Sequence, residues 1–235
     1  RLADTEARRS RLLGEVGHEM RTPLTVIDGY VEGMIDQVVP ASPDNLALIG
    51  EETRRLARLA EDLTALSRAE EGRMNLQLRP VNLAEIANSC VERLLPQAQD
   101  AGVQLSLAGA DRPIELSADP ARVGQIITNL IGNALRATPS GGRIDVRVGV
   151  RQDQAEVTVS ETGEGIAPDD LERIFERFYR VPGRRGAGSD TGTGIGLTIA
   201  RSLARQHGGS LTASSPGLGQ GATFTLRLPL GGATR

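Results

Sequence analysis

The feature that most constrains this chain is an apolar seam running through residues 1 to about 70. Leu13, Val16, Met20, Leu24, Ile27, Val31, Met34 and Val38 recur at intervals of mostly three and four, which lines side chains along one face of an α-helix. A second seam follows in Leu46, Ile49, Thr53, Leu56, Ala60, Leu63 and Leu66. Between them Val39-Pro40-Ala41-Ser42-Pro43-Asp44 breaks the pattern, and Ser42 ahead of Pro43 is a good helix start. The pattern predicts two long helices in a hairpin ending near Glu71-Gly72-Arg73. A hairpin of this size leaves part of its seam uncovered. Either a second copy covers it, forming a four-helix bundle by two-fold symmetry, or the hairpin folds against the rest of its own chain.

From about residue 76 the patterning changes. Short alternating or β-branched runs at Val103–Leu107, Ile114–Ser117, Arg143–Val150, Glu156–Ser160, Ser210–Ser214 and Thr223–Leu228 predict strands. Helical stretches are predicted at Leu83–Asp100, Asp119–Thr138, Pro168–Phe175 and Ile195–His207. Strands and helices mix without regular βαβ alternation, so an α+β sandwich is expected rather than a doubly wound sheet. Val181–Thr193, with four glycines, one proline and two arginines, reads as a mobile loop. At 235 residues, two domains are expected, at 1–72 and 73–235.

Composition narrows the function. Aromatic residues are 2% of the chain and Trp is absent, so the core must be aliphatic and alanine-rich. A net charge of -3 gives no electrostatic case for nucleic acid as the main partner. The single cysteine, Cys90, excludes an intrachain disulfide and a cysteine-based zinc site, and reads as a small core residue on a helix. No apolar run is long enough to span a bilayer, and no signal peptide is visible. The chain has no lysine, so any basic contact to phosphate must come from arginine, with its forked geometry.

His18 lies in Gly17-His18-Glu19-Met20-Arg21-Thr22-Pro23, off the apolar seam, so its ring should face solvent. Glu19 is placed to accept the imidazole proton and so raise the nucleophilicity of the other ring nitrogen. Thr22 lies one turn on, where a hydroxyl can position a water. Pro23 deletes the hydrogen bond to the Glu19 carbonyl, at a cost of about 3 kcal/mol, and a bend is expected there.

Three later segments suggest a phosphate and purine pocket. Asn129, Asn133 and Arg136 share one helix face among apolar Ile126, Ile127, Leu130 and Ile131, suited to Mg2+ and phosphate oxygens or to a plain polar edge. Glu161-Thr162-Gly163-Glu164-Gly165-Ile166 sits at a strand end, where paired glycines allow close backbone approach. Gly192-Thr193-Gly194-Ile195-Gly196-Leu197 runs into a helix, offering N–H groups to a polyphosphate. The last matches neither Rossmann spacing nor, without lysine, a P-loop.

Taken in this order, the segments resemble the cytoplasmic core of bacterial two-component sensor histidine kinases. His18 to Pro23 resembles the H box of the dimerisation and phosphoacceptor domain. Asn129 to Asn133 resembles the N box, Glu161 to Gly165 the first glycine box, Phe175-Glu176-Arg177-Phe178 the F box, and Gly192 to Gly196 the second glycine box of the Bergerat-type ATP-binding domain. The resemblance implies a homodimer in which His18 takes the γ-phosphoryl group of ATP, with Glu19 as general base, and passes it to an aspartate of a response regulator. It implies that Asn133 holds Mg2+ with Asn129 beside it, and that Arg136 meets phosphate where relatives carry lysine. Glu161, Gly163, Gly165, Ile166 and Thr223 would line the nucleotide pocket, and Gly192, Gly194, Gly196 and Leu197 the lid hinge. Arg184 or Arg185 would neutralise transition-state charge, and Thr22 would orient water for dephosphorylating the regulator.

Two departures stand out. Glu161 replaces the family's aspartate, which accepts from the adenine amino group, and Ala137 replaces a frequent aromatic; both point to weaker ATP binding. A catalytically silent dimeric scaffold and a Bergerat-type ATPase without histidine phosphorylation are the alternatives. The resemblance also implies a parent that continues upstream into an inner membrane, with this part on the cytoplasmic side.

Overall fold

The computed structural model describes residues 2–70, 76–181 and 193–231. They fall into two compact units, the helical hairpin through Thr64 and the part that carries both sheets.

The hairpin is α1 (Leu2–Ile35) and α2 (Pro43–Glu70). Helix α1 continues through Pro23. It stops at Ile35, earlier than the seam suggested, because the Val38 and Val39 N–H groups both turn back onto the Gly33 carbonyl at 2.9 Å, with Gln37 in a left-handed conformation at φ 58°. Val38, read as part of the seam, therefore lies beyond the helix and is exposed. Helix α2 starts at Pro43 as expected, with the Asn45 N–H donating to the Ser42 hydroxyl at 3.3 Å.

In the second unit, β2 (Gln104–Ala108), β4 (Arg143–Arg151), β5 (Gln154–Glu161), β7 (Ala222–Pro229) and β6 (Ser210–Ser214) form a sheet in the order β2-β4-β5-β7-β6, parallel only at β2–β4. Helices α3 (Leu83–Asp100), α4 (Pro120–Ala137) and α5 (Gly196–Gln206) pack on it. Alternate residues Val157 and Val159 of β5, Ile144 and Val146 of β4, and Phe224 and Leu226 of β7 are buried, as period-two strands with one covered face require. Ile126, Ile127, Leu130 and Ile131 of α4 complete this core with no exposed surface. Cys90 is buried on α3, its thiol 3.5 Å from the Gly124 carbonyl of α4.

Two expectations are corrected. A strand with no sequence signal, β1 (Arg79–Asn82), pairs antiparallel with β3 (Glu115–Ala118); it is short and contains proline, which suits only a strand with a free edge. The helix expected over Pro168–Phe175 is instead two 3-10 turns, Pro168–Asp170 and Arg173–Phe175, each too short to propagate an α-helix. The loop expected over Val181–Thr193 lies, apart from its two end residues, outside the described residues.

Candidate functional site

His18 and Thr22 are exposed on α1, one turn apart, while Pro23 beside them is buried. Glu19 is half-buried, and its Oε2 lies 4.0 Å from Nη2 of Arg55 on α2. Arg55 is also 3.5 Å from Glu52, so α2 orients the carboxylate next to the histidine. Nothing in the sequence singled out Arg55, one of several arginines on that helix.

The second cluster is assembled from separate stretches of chain. Asp119 starts α4: its Oδ1 accepts from the Ala121 and Arg122 N–H groups at 3.0 and 3.2 Å, and Pro120 fills the first helical position. This phase turns the apolar Ile126, Ile127, Leu130 and Ile131 into the core and leaves Asn129 and Asn133 half-buried and Arg136 exposed. Asn129 Nδ2 donates to the Gly196 carbonyl at 3.0 Å, tying α4 to the first residue of α5. The N-cap residue of α5, Ile195, makes no side-chain cap, and first-turn N–H groups at such a helix start suit an anion. The other end of α5 is anchored by buried His207, whose Nδ1 donates to the Leu203 carbonyl at 2.8 Å and whose Nε2 accepts from the Asp119 N–H at 3.1 Å.

Glu161 ends β5 in phase with Val157 and Val159, which carries its carboxylate into the buried row, 5% exposed. Its Oε2 accepts from the Gly163 N–H. The Thr138 hydroxyl is 3.5 Å from the same oxygen, but its one proton is better placed on the Ala134 carbonyl at 2.7 Å. The longer side chain thus bends back onto its own loop. A Cβ at Gly163 would fall on the Ala137 carbonyl oxygen, so only glycine permits this approach. The Ala137 carbonyl also accepts from the Glu164 N–H at 3.1 Å. Gly165 has φ +66° and lies against the Gly217 carbonyl.

Phe178 N–H donates to the Gly194 carbonyl at 3.0 Å, and the Thr198 hydroxyl of α5 donates to the Phe175 carbonyl at 2.9 Å. The Arg201 guanidinium lies 4.5 Å from the Phe175 ring centre. Nearby, the Tyr179 hydroxyl donates to Asp170, which pushes the phenol above its ordinary pKa.

The structure therefore gathers Asn129, Gly194, Gly196 and Leu197 around the α4–α5 contact, and Glu161, Gly163, Gly165 and Ile166 at the end of β5. Thr223 is not brought in. Its Oγ1 hydrogen-bonds Ser160 at 3.0 Å on the opposite face of the sheet, because alternation gives the inward place beside Glu161 to Ala222. Arg184, Arg185 and Gly192 lie outside the described residues. Sequence reasoning also missed the turn from Ser215 to Gly221. Its alternate glycines Gly217, Gly219 and Gly221 were the available signal.

Residues 8–72 match the family described as the His Kinase A (phospho-acceptor) domain, and residues 118–232 the histidine kinase-, DNA gyrase B- and HSP90-like ATPases. Sensor protein SrrB of Staphylococcus aureus is 34% identical over 223 residues, 92% of this chain, and the chain spans 37% of that relative's length. The solved structure of full-length ShkA in complex with AMPPNP aligns with a TM-score of 0.68 at 27% identity, covering 96% of this chain and 47% of that one. Histidine kinase ThkA, solved in complex with response regulator protein TrrA, aligns at 0.72 and 24% identity, covering 97% of this chain and 66% of that one. With a phosphoacceptor unit followed by this ATPase sandwich, the chain belongs to the two-component sensor histidine kinases and spans their core.

Proposed function

We propose that this chain is the working core of an ATP-dependent protein-histidine kinase, with a dimerisation and phosphotransfer domain at 1–72 and a catalytic ATP-binding domain at 73–235. The observation that carries the reading is His18, exposed beside an oriented carboxylate in a chain whose second unit has a glycine-shaped pocket edge and an open helix N-terminus.

The pocket residues fit a nucleotide. The close approach of Gly163 to Ala137 leaves no room for a side chain, and the Glu161 carboxylate stays at the loop. Asn133 would hold Mg2+ through its amide oxygen, with Asn129 beside it, and Arg136 would meet phosphate. Leu197 and Gly196 present first-turn N–H groups to the phosphates, and Arg184 or Arg185 would balance charge during transfer.

When bound, ATP supplies the γ-phosphoryl group. One ring nitrogen of His18 forms the new P–N bond as the bond to the ADP oxygen breaks, and Glu19 takes the proton from the other nitrogen. His18 then gives the phosphoryl group to an aspartate carboxylate of a response regulator. Thr22 would position water for the reverse duty, dephosphorylation of that regulator.

The chain acts as a homodimer in this reading. Leu24, Val31 and Leu46 of the predicted seams are 46%, 40% and 53% exposed, an apolar surface that a second hairpin would cover in a four-helix bundle. The whole protein would be an inner-membrane sensor with this part in the cytoplasm. Among the described residues no helix is long and apolar enough to cross a membrane.

Incubation with Mg·ATP labelled in the γ-phosphate should give acid-labile protein-bound phosphate, and His18→Gln should give none while still binding nucleotide. Label that persists in the variant would sink the assignment.

A further inference from the structure

The loop from Gly163 to Ile166 is held from two sides. From within, Glu161 accepts the Gly163 N–H. From outside, the turn Ser215–Gly221 between β6 and β7 binds it through main-chain and side-chain contacts. Gly221 N–H donates to the Gly163 carbonyl at 3.1 Å, and Gly219 N–H to the Glu164 carbonyl at 2.7 Å. The Ser215 hydroxyl accepts from the Ile166 N–H at 3.0 Å and from the Gly217 N–H at 3.2 Å, and donates to the Gly221 carbonyl at 2.6 Å.

A serine hydroxyl has one proton and two lone pairs. All three are used here. The same oxygen thus closes the turn on itself and fastens it to Ile166, the fully buried residue that ends the nucleotide-facing loop.

We propose that Ser215 is a positioning residue of the nucleotide site: it touches no reacting atom, but holds the Gly163–Ile166 loop in the shape that nucleotide meets. The proposal rests on the nucleotide reading of that loop. Loss of the hydroxyl leaves the Ile166 N–H and Gly221 carbonyl to find other partners and lets the loop relax before binding. The cost then falls on nucleotide affinity rather than on phosphoryl transfer once the site is full.

The test compares Ser215→Thr with Ser215→Val, which match in shape and differ in the hydroxyl, alongside Ser215→Ala. Binding of Mg·ADP is measured by calorimetry, and KM for ATP and kcat by autophosphorylation. Ser215→Thr should keep wild-type affinity. Ser215→Val and Ser215→Ala should bind Mg·ADP about tenfold more weakly and raise KM by a similar factor, as the loss of one hydrogen bond to a buried group implies. Their kcat at saturating ATP should stay within about twofold of wild type. Wild-type affinity in Ser215→Val, or a fall in kcat at unchanged KM, overturns the proposal. Failure of the wild-type chain itself to bind Mg·ADP overturns instead the nucleotide reading beneath it.

Discussion

The two units of this chain build their functional groups in opposite ways. In the hairpin, His18, Glu19 and Thr22 lie within five consecutive residues of one helix, and Arg55 joins them from the other. In the α/β unit, the candidate site draws on the end of β5, the face of α4, the start of α5 and the turn after β6, joined by main-chain contacts as well as by the Asn129 and Ser215 side chains. Among the described residues the hairpin buries few side chains, Leu59 and Pro23 among them, whereas the sheet unit has a continuous aliphatic core. A phosphoacceptor needs exposure and a neighbouring base, which one helix supplies. A pocket needs walls from several directions, which only a packed layer structure supplies.

That contrast can be broken at its strongest point by Gly163→Ala. A methyl there collides with the Ala137 carbonyl, and overpacking of this kind should weaken nucleotide binding by up to about a hundredfold. The oligomeric state set by the hairpin should not change. Calorimetry with Mg·ADP and analytical ultracentrifugation check both halves, and retained affinity would show that the close approach is not part of the site.

A comparable effect is expected within the hairpin. Leu59→Ala, at a position 3% exposed, should lower unfolding stability by about 2–3 kcal/mol. Leu46→Ala, at a position 53% exposed, should chiefly weaken self-association. Denaturation at several protein concentrations separates the two, and equal concentration dependence would argue against an intermolecular role for Leu46.

The smallest expected change is at Glu161. Aspartate is one methylene shorter and cannot bend back onto Gly163 in the same way, leaving its carboxylate for a ligand amino group. Glu161→Asp should therefore tighten ATP binding by about tenfold. Equal affinity would mean the pocket already accommodates glutamate.

Much of this was legible beforehand because periodicity carries facing. The phase of the α1 seam set His18 outward, and Leu83–Asp100 and Ser210–Ser214 match the bounds of α3 and β6. The failures have local causes. Val38 continues the seam arithmetically, but the chain has already turned at Gln37. Proline in Arg79–Asn82 hides a strand that exists only because β3 lies beside it. The resemblance implied Thr223 as a pocket residue, yet strand alternation gives the inward place to Ala222.

By itself, then, the sequence determined the exposed histidine with its adjacent carboxylate, the helical hairpin and the order of the glycine-bearing segments, since each depends on local spacing. Only the tertiary structure decided which groups support them. Arg55 orienting Glu19, the Glu161 carboxylate turned onto Gly163, and Ser215 fastened to Ile166 all join residues that share no periodicity. Such contacts are set by sheet register and helix packing, and no local pattern encodes them.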